Sequence, residues 1–255
     1  MKSPLQDKIR DSKALRCLKK KIPKGATVHS YLFFAGNIEF KLAQVNRSVI
    51  AHTNKYAVYE FWKCVEKDAH TVSQIAQSFL PFEDENIFQL FQKSWSTQNN
   101  PFMRSALLFL LNRLTKNGTI SSGEIQIDSF NPLSFSYLEN LKLDPLRFVL
   151  DKETDCVDSI KNLKADPSEI LLIPACTFSR GLSDRAKLRG PEESVLNHIK
   201  LQKILQDTKQ KWIVLYKFHP TILDFYSECD IIMIDQYGRE VSDKNDCKEL
   251  IIANF

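Results

Sequence analysis

The alternation of apolar and polar positions divides the chain into short buried runs separated by helical periodicities. Residues 26–35 (ATVHSYLFFA) form an apolar, aromatic-rich run that stops at Gly36 and predicts a buried strand. A basic stretch over residues 11–21 predicts a short helix ending before Pro23. Residues 38–45 predict a second helix, and residues 47–52 (RSVIAH) a second strand. From Lys55 to Asn112 the period is helical. Tyr59, Trp62 and Val65 share a face, as do Val72, Ile75 and Phe79, then Ile87, Phe88 and Phe91, then Leu107, Leu108 and Leu111. Residues 112–134 are polar and turn-rich, and Asn117-Gly118 followed by alternating residues predicts a hairpin. Beyond it, residues 138–143 and 155–163 predict helices and residues 147–150 and 169–174 strands. A basic loop over residues 177–191 leads to an amphipathic helix over 192–208 with Val195, Ile199, Ile204 and Leu205 inward. Strands follow at 211–216, 230–234 and 249–254. Strands separated by helices predict one continuous α/β sheet with right-handed crossovers. Residues 1–54 and 147–255 supply that sheet, and residues 55–146 form a helical insertion carrying the turn-rich hairpin.

Composition sharpens this picture at one point. The chain has 255 residues but 7 glycines, where average usage gives roughly 18. No two glycines form a G-x-G pair, which excludes an intact glycine-rich phosphate cradle. The 17 Phe, 7 Tyr and 3 Trp provide too much burial drive for disorder. The 6 cysteines are scattered singly, so zinc and dithiol readings give way to buried thiols, and no metal site is expected. The formal charge is +4, but residues 1–25 carry nine basic residues against two acidic ones, a segment suited to nucleic acid or an acidic partner. No apolar run approaches the roughly 20 residues of a membrane span. The first residues lack the apolar core of a signal peptide, so no membrane partner and an intracellular location are expected, in the cytoplasm or at a viral replication site.

Seven segments, in order, resemble the Dam-type DNA adenine methyltransferases, especially the compact forms of phages and large DNA viruses. Lys2-Ser3-Pro4-Leu5 is similar to the K-S-P-L that precedes the family's Y-P-G-G-K motif. Residues 31–39 (YLFFAGNIE) resemble E-P-F-x-G-G-G followed by an acidic residue, and residues 49–54 (VIAHTN) resemble its V-I-x-x-D-x strand end. Residues 106–113 (ALLFLLNR) resemble A-x-x-F-x-x-L-N-R, and residues 117–119 and 121–123 its recognition turn. Residues 171–176 (LLIPAC) fall where the family has D-P-P-Y, and residues 249–255 (ELIIANF) resemble its closing E-L-L-I-x-N-Y strand. The resemblance implies a Rossmann-like S-adenosylmethionine methyltransferase sheet with an inserted helical DNA-recognition domain. It also implies transfer of a methyl group to a flipped adenine.

Each chemical motif departs from the family pattern. Arg10 and Asp11 stand within the position of G-G-K. Gly36 keeps one glycine of the second motif, between Ala35 and Asn37. Thr53 replaces the acidic residue that holds the cofactor ribose, and Asn54 follows it. At the catalytic strand end, Ile173, Pro174, Ala175 and Cys176 (or, shifted by one, through Thr177) offer neither a side-chain acceptor for the adenine amine nor the stacking aromatic. Phe178 could stack a base from nearby. Cys176 has no histidine close in sequence and is read as a buried thiol rather than a nucleophile. The expectation is therefore a pseudo-methyltransferase with no cofactor, its pocket closed around Gly36, that binds double-stranded DNA, an active methyltransferase subunit, or both. The DNA-facing candidates are Arg113, Lys116, Asn117, Thr119, Ser121 and Ser122 in the turn, and Arg180, Arg185, Lys187 and Arg189 in the later basic loop. The alternatives are an active, divergent adenine-specific enzyme using S-adenosylmethionine, and a protein-binding scaffold without a DNA role.

Overall fold

The structure, a computed structural model, describes residues 2–7, 12–81, 84–121, 123–144, 146–178 and 196–255. The first strand–helix–strand unit is β1 (Thr27–Ser30), α2 (Asn37–Ala43) and β2 (Ser48–Thr53), preceded by α1 (Leu15–Lys21). Four helices then intervene: α3 (Tyr56–Gln77), α4 (Glu85–Ser94), α5 (Pro101–Leu114) and α6 (Leu133–Glu139). The sheet resumes with β3 (Leu146–Leu150), α7 (Cys156–Asn162), β4 (Ile170–Cys176), α8 (His198–Asp207) and β5 (Lys211–Lys217). It ends with α9 (Pro220–Phe225), β6 (Asp230–Ile234) and β7 (Glu249–Ala253). Among the described residues seven strands form one sheet in the order β3-β2-β1-β4-β5-β7-β6. All neighbours are parallel except β7, which runs antiparallel between β5 and β6.

Strand alternation places two cores on opposite faces of this sheet. Val28, Val49, Ala51, Leu172, Ile213 and Ile251 face α1, α2 and the inserted helices. Leu171, Ile173, Trp212, Val214 and Ile252 face α7 and α8. The insertion joins the first core through Trp62 on α3, whose ring packs with Phe33, Phe40, Phe61 and Phe148. Its indole Nε1 donates to Phe34 O at 2.7 Å.

Local signals explain where the helices begin. Asn100 caps α5 by accepting from Phe102 N at 2.8 Å, with Pro101 in the first turn. Asp84, Asp155 and Asn197 cap α4, α7 and α8 in the same way. Three expectations need correction. Residues 112–134 do not form a hairpin: two single 3-10 turns, Lys116–Gly118 and Ile127–Ser129, are joined by one isolated bridge between Thr115 and Ile125. The helix expected at 138–143 lies earlier, as α6, because Asn131 accepts from Leu133 N at 3.0 Å and Pro132 opens the turn. Helix α9, unpredicted, starts at Pro220 behind His219, whose Nδ1 accepts from Thr221 N at 3.2 Å. On α8 the buried face is His198, Leu201 and Leu205, while Ile199 points to solvent and Val195 lies outside the described residues. No described helix is long and apolar enough to cross a membrane.

Arg47 ties two helix ends to the sheet. Buried, it donates from Nη1 to Val45 O at 2.6 Å, and from Nη2 to Lys19 O at 2.9 Å and Ile22 O at 2.5 Å. Carbonyls at the carboxyl ends of α1 and α2 are electronegative and otherwise orphaned, so one planar cation satisfies both. Arg47→Met should strand these carbonyls and lower unfolding free energy by about 2–4 kcal/mol in urea titration.

Candidate active-site crevice

The strand order reverses between β1, whose neighbours are β2 and β4, and the two halves of the sheet diverge there. In open α/β sheets ligands bind outside the carboxyl ends of the strands at such a point. The expected strand over 26–35 stops at Ser30. Tyr31 N still bonds Leu172 O on β4 at 2.9 Å, but Phe33 N bonds His52 O on β2 at 3.0 Å. Leu32, between them, adopts a left-handed backbone (φ 56°) to make the change. At the facing end of β4, Cys176 is also left-handed (φ 65°), beside a register shift between Pro174 and Cys176. Such backbone is costly for residues with a Cβ and gathers at functional sites.

Between these two ends lies a narrow crevice open to solvent, with a cavity volume of about 10 Å³. Leu32, Phe34, Ile38 and Pro174 form its apolar wall. The Ala35-Gly36-Asn37 loop forms its floor, and the carboxylates of Asp7 and Glu39 lie along it. Both carboxylate residues are buried, and Glu39 Oε1 accepts from Ser30 Oγ at 2.6 Å. Gly36 is held at φ 75° with Phe33 and Phe40 against it; a Cβ would meet Phe40 at 2.7 Å. The glycine therefore answers to aromatic packing and to the turn into α2. Asp7 arrives through the N-terminal segment. Ser3 Oγ donates to Ala35 O, and Leu5 N donates to Ser3 Oγ at 3.1 Å. Gln6 N donates to Asn112 Oδ1 at 2.6 Å, while Asn112 Nδ2 donates back to Gln6 O at 2.9 Å and to Gly118 O at 3.0 Å. One peptide thus links the crevice loop to the end of α5 and the turn beyond it.

Of the expected cofactor positions, the structure brings Ala35, Gly36 and Asn37 together with Pro174; Arg10 and Asp11 lie outside the described residues. Thr53 stays apart from the crevice wall, buried, with Oγ1 accepting from Lys55 N at 3.2 Å. Asn54 Nδ2 donates to Thr154 O at 2.5 Å. At the catalytic strand end, Ile173 is in the core and Ala175 is buried. The Cys176 thiol donates to Pro174 O at 2.9 Å. Phe178 packs against His198, His219 and Phe225. His198 Nδ1 lies 2.9 Å from the Tyr216 hydroxyl, and burial pushes this imidazole down to about 4 and the Tyr216 phenol up.

The turn candidates are distributed unevenly. Arg113 is half-buried at the end of α5, its Nε without a partner, and desolvation lowers its pKa. Lys116 is exposed, 3.5 Å from Glu124. Thr119 is half-buried, and Ser121 Oγ accepts from Trp95 Nε1 at 3.3 Å. Asn117 sits in the 3-10 turn. Ser122, Arg180, Arg185, Lys187 and Arg189 lie outside the described residues. Among the described residues no group of His, Cys, Asp and Glu is placed to hold a metal. The sequence reading missed Asp7, because nothing local marks a residue brought in by its neighbours' hydrogen bonds.

No family model and no curated protein matches the sequence. Solved structures similar to it include a TehB-like SAM-dependent methyltransferase from Corynebacterium glutamicum, at 6% identity over 94% of this chain and 85% of that one, TM-score 0.38. A precorrin-6y C5,15-methyltransferase from Geobacter metallireducens is 7% identical over 95% and 86% of the two chains, TM-score 0.32. A glycopeptide N-methyltransferase complexed with S-adenosyl-L-methionine is 7% identical over 97% and 95%, TM-score 0.35. At these TM-scores the likeness carries no argument, and the Dam-type reading extends no further than the sequence resemblance. The expectation of no cofactor is corrected to this extent: of these structures, one is described as SAM-dependent and another is complexed with S-adenosyl-L-methionine. The crevice beside Gly36 is narrow, about 10 Å³, with Phe33 packed against Trp62 and Phe148. With β1 to β5 parallel in the order β3-β2-β1-β4-β5 and β7 inserted antiparallel before β6, the chain has the Rossmann-like methyltransferase α/β fold.

Proposed function

We propose that this chain is a divergent S-adenosylmethionine-dependent methyltransferase whose acceptor is adenine in double-stranded DNA. The observation that carries the reading is the conjunction, at the topological switch, of left-handed Leu32 and Cys176 with the buried carboxylates of Asp7 and Glu39. Carboxylates in an apolar wall suit a cationic, partly apolar ligand, and S-adenosylmethionine carries an ammonium and a sulfonium. The lining matches that cationic end in chemistry: once the narrow crevice widens, Asp7 and Glu39 would lie beside the ammonium and Leu32, Phe34 and Ile38 along the apolar part. When bound, the cofactor supplies a methyl group on an electron-poor sulfur. Pro174 O, at the carboxyl end of β4, is the group on this chain able to accept from an acceptor amine, once the Cys176 thiol turns away. The ordered resemblance of the Leu111-Asn112-Arg113 helix end and its turn supports DNA as the partner.

A second reading has a specific observation in its favour. Neither Pro174, Ala175 nor Cys176 offers a side-chain acceptor comparable to a carboxylate, which favours a subunit that binds cofactor and DNA while an active partner transfers the methyl group.

Calorimetry with S-adenosylmethionine should show binding, and Glu39→Gln should weaken it about tenfold or more, the loss of a charge-assisted contact. No heat up to about millimolar cofactor, the weak end of the affinity scale, would sink both readings. Transfer of tritiated methyl groups to duplex DNA by the purified chain separates the first reading from the second. In mobility shifts on the same DNA, Lys116→Ala should reduce the salt dependence of binding by about one phosphate contact; an unchanged slope removes the turn from the interface.

A further inference from the structure

On the sheet face that packs against α7 and α8, four titratable side chains form an unbroken line across four strands. Glu169 Oε2, just before β4, lies 3.0 Å from His29 Nε2 on β1. His29 Nδ1 lies 3.0 Å from His52 Nε2 on β2, and His52 Nδ1 lies 2.9 Å from Asp151 Oδ1, just after β3. The histidines and Asp151 are almost fully enclosed, whereas the Glu169 side chain is 26% exposed. The line therefore runs from a solvent-touching carboxylate at the amino end of β4 to an enclosed one at the carboxyl end of β3.

The proton count of this line is decided by its geometry. Three contacts need three hydrogens, one between each pair of heavy atoms. Two neutral imidazoles carry only two. With both carboxylates ionised, either His29 Nδ1 and His52 Nε2 would face each other lone pair to lone pair, or one carboxylate would lose its donor. A third proton removes the conflict. It can rest on His52, making an imidazolium that donates to both His29 and Asp151. Alternatively it rests on Asp151 or Glu169 as a carboxylic acid, with the imidazole hydrogens shifted along the line. These arrangements have the same net charge and differ only in where the hydrogens sit, so a proton taken up at one end can be delivered at the other. The second oxygen of Asp151 is buried with no hydrogen-bond partner, so this carboxylate depends on its contact with His52.

We propose that Glu169, His29, His52 and Asp151 form a proton relay across the sheet that holds one proton more than two neutral imidazoles and so positions the wall of the crevice. The coupling runs through Tyr31, which stacks on His52 with ring centres 4.5 Å apart and planes at 13°, and which immediately precedes left-handed Leu32. Loss of the third proton opens one of the three contacts and removes the cation beneath Tyr31. Other groups bearing on the line are Arg147 on β3, which disfavours charge on His29, and Glu153 and Cys156 near Tyr31. Burial lowers the His29 pKa while a hydrogen bond to Glu169 opposes that. Tyr31 itself is driven far up by burial, then by Asp151, and stays a neutral phenol.

Imidazole nitrogen spectra of the uniformly 15N-labelled full chain, recorded from about pH 5 to about pH 9, test this directly. The relay requires a scalar coupling between His29 Nδ1 and His52 Nε2 at the acid end, with one imidazolium beside one neutral ring where the third proton rests on His52. Raising the pH should release a single proton, lose that coupling and move the Tyr31 ring resonances together with it. Asp151→Asn keeps an acceptor for His52 but removes the charge, so release should shift down by at least about one pH unit. Independent titrations without nitrogen–nitrogen coupling, or an Asp151→Asn titration like the parent's, would each overturn the proposal. None of these readouts involves cofactor or DNA, so they stand or fall apart from the proposed enzymatic function.

Discussion

The reversal of strand order beside β1 is the constraint on which the rest of the molecule depends. At such a point the connections leave toward opposite sides, and a crevice opens outside the carboxyl ends of the strands. Tyr31 follows β4 and Phe33 follows β2, so Leu32 must absorb the divergence in its own backbone. That turn opens the crevice and sends the chain into α2 through Gly36. It also delivers Phe33 and Phe34 to the inserted helices. Crevice, loop and insertion are thus consequences of one pairing problem.

The remaining elements brace that loop from several directions. Trp62 hydrogen-bonds Phe34 from α3, and Ser3 hydrogen-bonds Ala35 from the N-terminal segment. Ser30 holds Glu39 from below, and Tyr31 is stacked on His52. A backbone conformation that costs energy persists only when its surroundings over-determine it. Here those surroundings come from segments more than twenty residues apart in sequence as well as from the adjoining strand. The same arrangement joins the candidate cofactor crevice to the turn after α5, because Gln6 and Asn112 exchange hydrogen bonds as two paired strands would.

Electrostatically, the two faces of the sheet differ. The face under the insertion buries aromatic and aliphatic side chains, with Arg47 bonded through its two Nη atoms to helix-end carbonyls at its margin. The face under α7 and α8 carries the carboxylate–histidine line as well as an apolar core. Groups that exchange protons therefore lie behind the crevice wall, while the carboxylates aligned for a cation lie in front of it.

Sequence periodicity determined the order of strands and helices and the interruption of the sheet by helices, because burial on both faces writes apolar runs into parallel strands and a 3.6-residue period into helices. The family resemblance, not periodicity, singled out Gly36, Pro174 and the Leu111-Asn112-Arg113 helix end. The local pattern misjudged the turn after α5, where an Asn-Gly pair signals a hairpin but Gly118 sits against Gln6 O, leaving no room for a Cβ. A shortage of glycine read as a closed pocket, yet whether Ala35 and Asn37 fill a space depends on where Phe33 and Phe40 go. Only the tertiary structure placed Asp7 beside Glu39 and lined up Glu169, His29, His52 and Asp151. The physical reason is that such contacts depend on strand register and on segments distant in the chain, and a local pattern of apolar and polar residues carries neither.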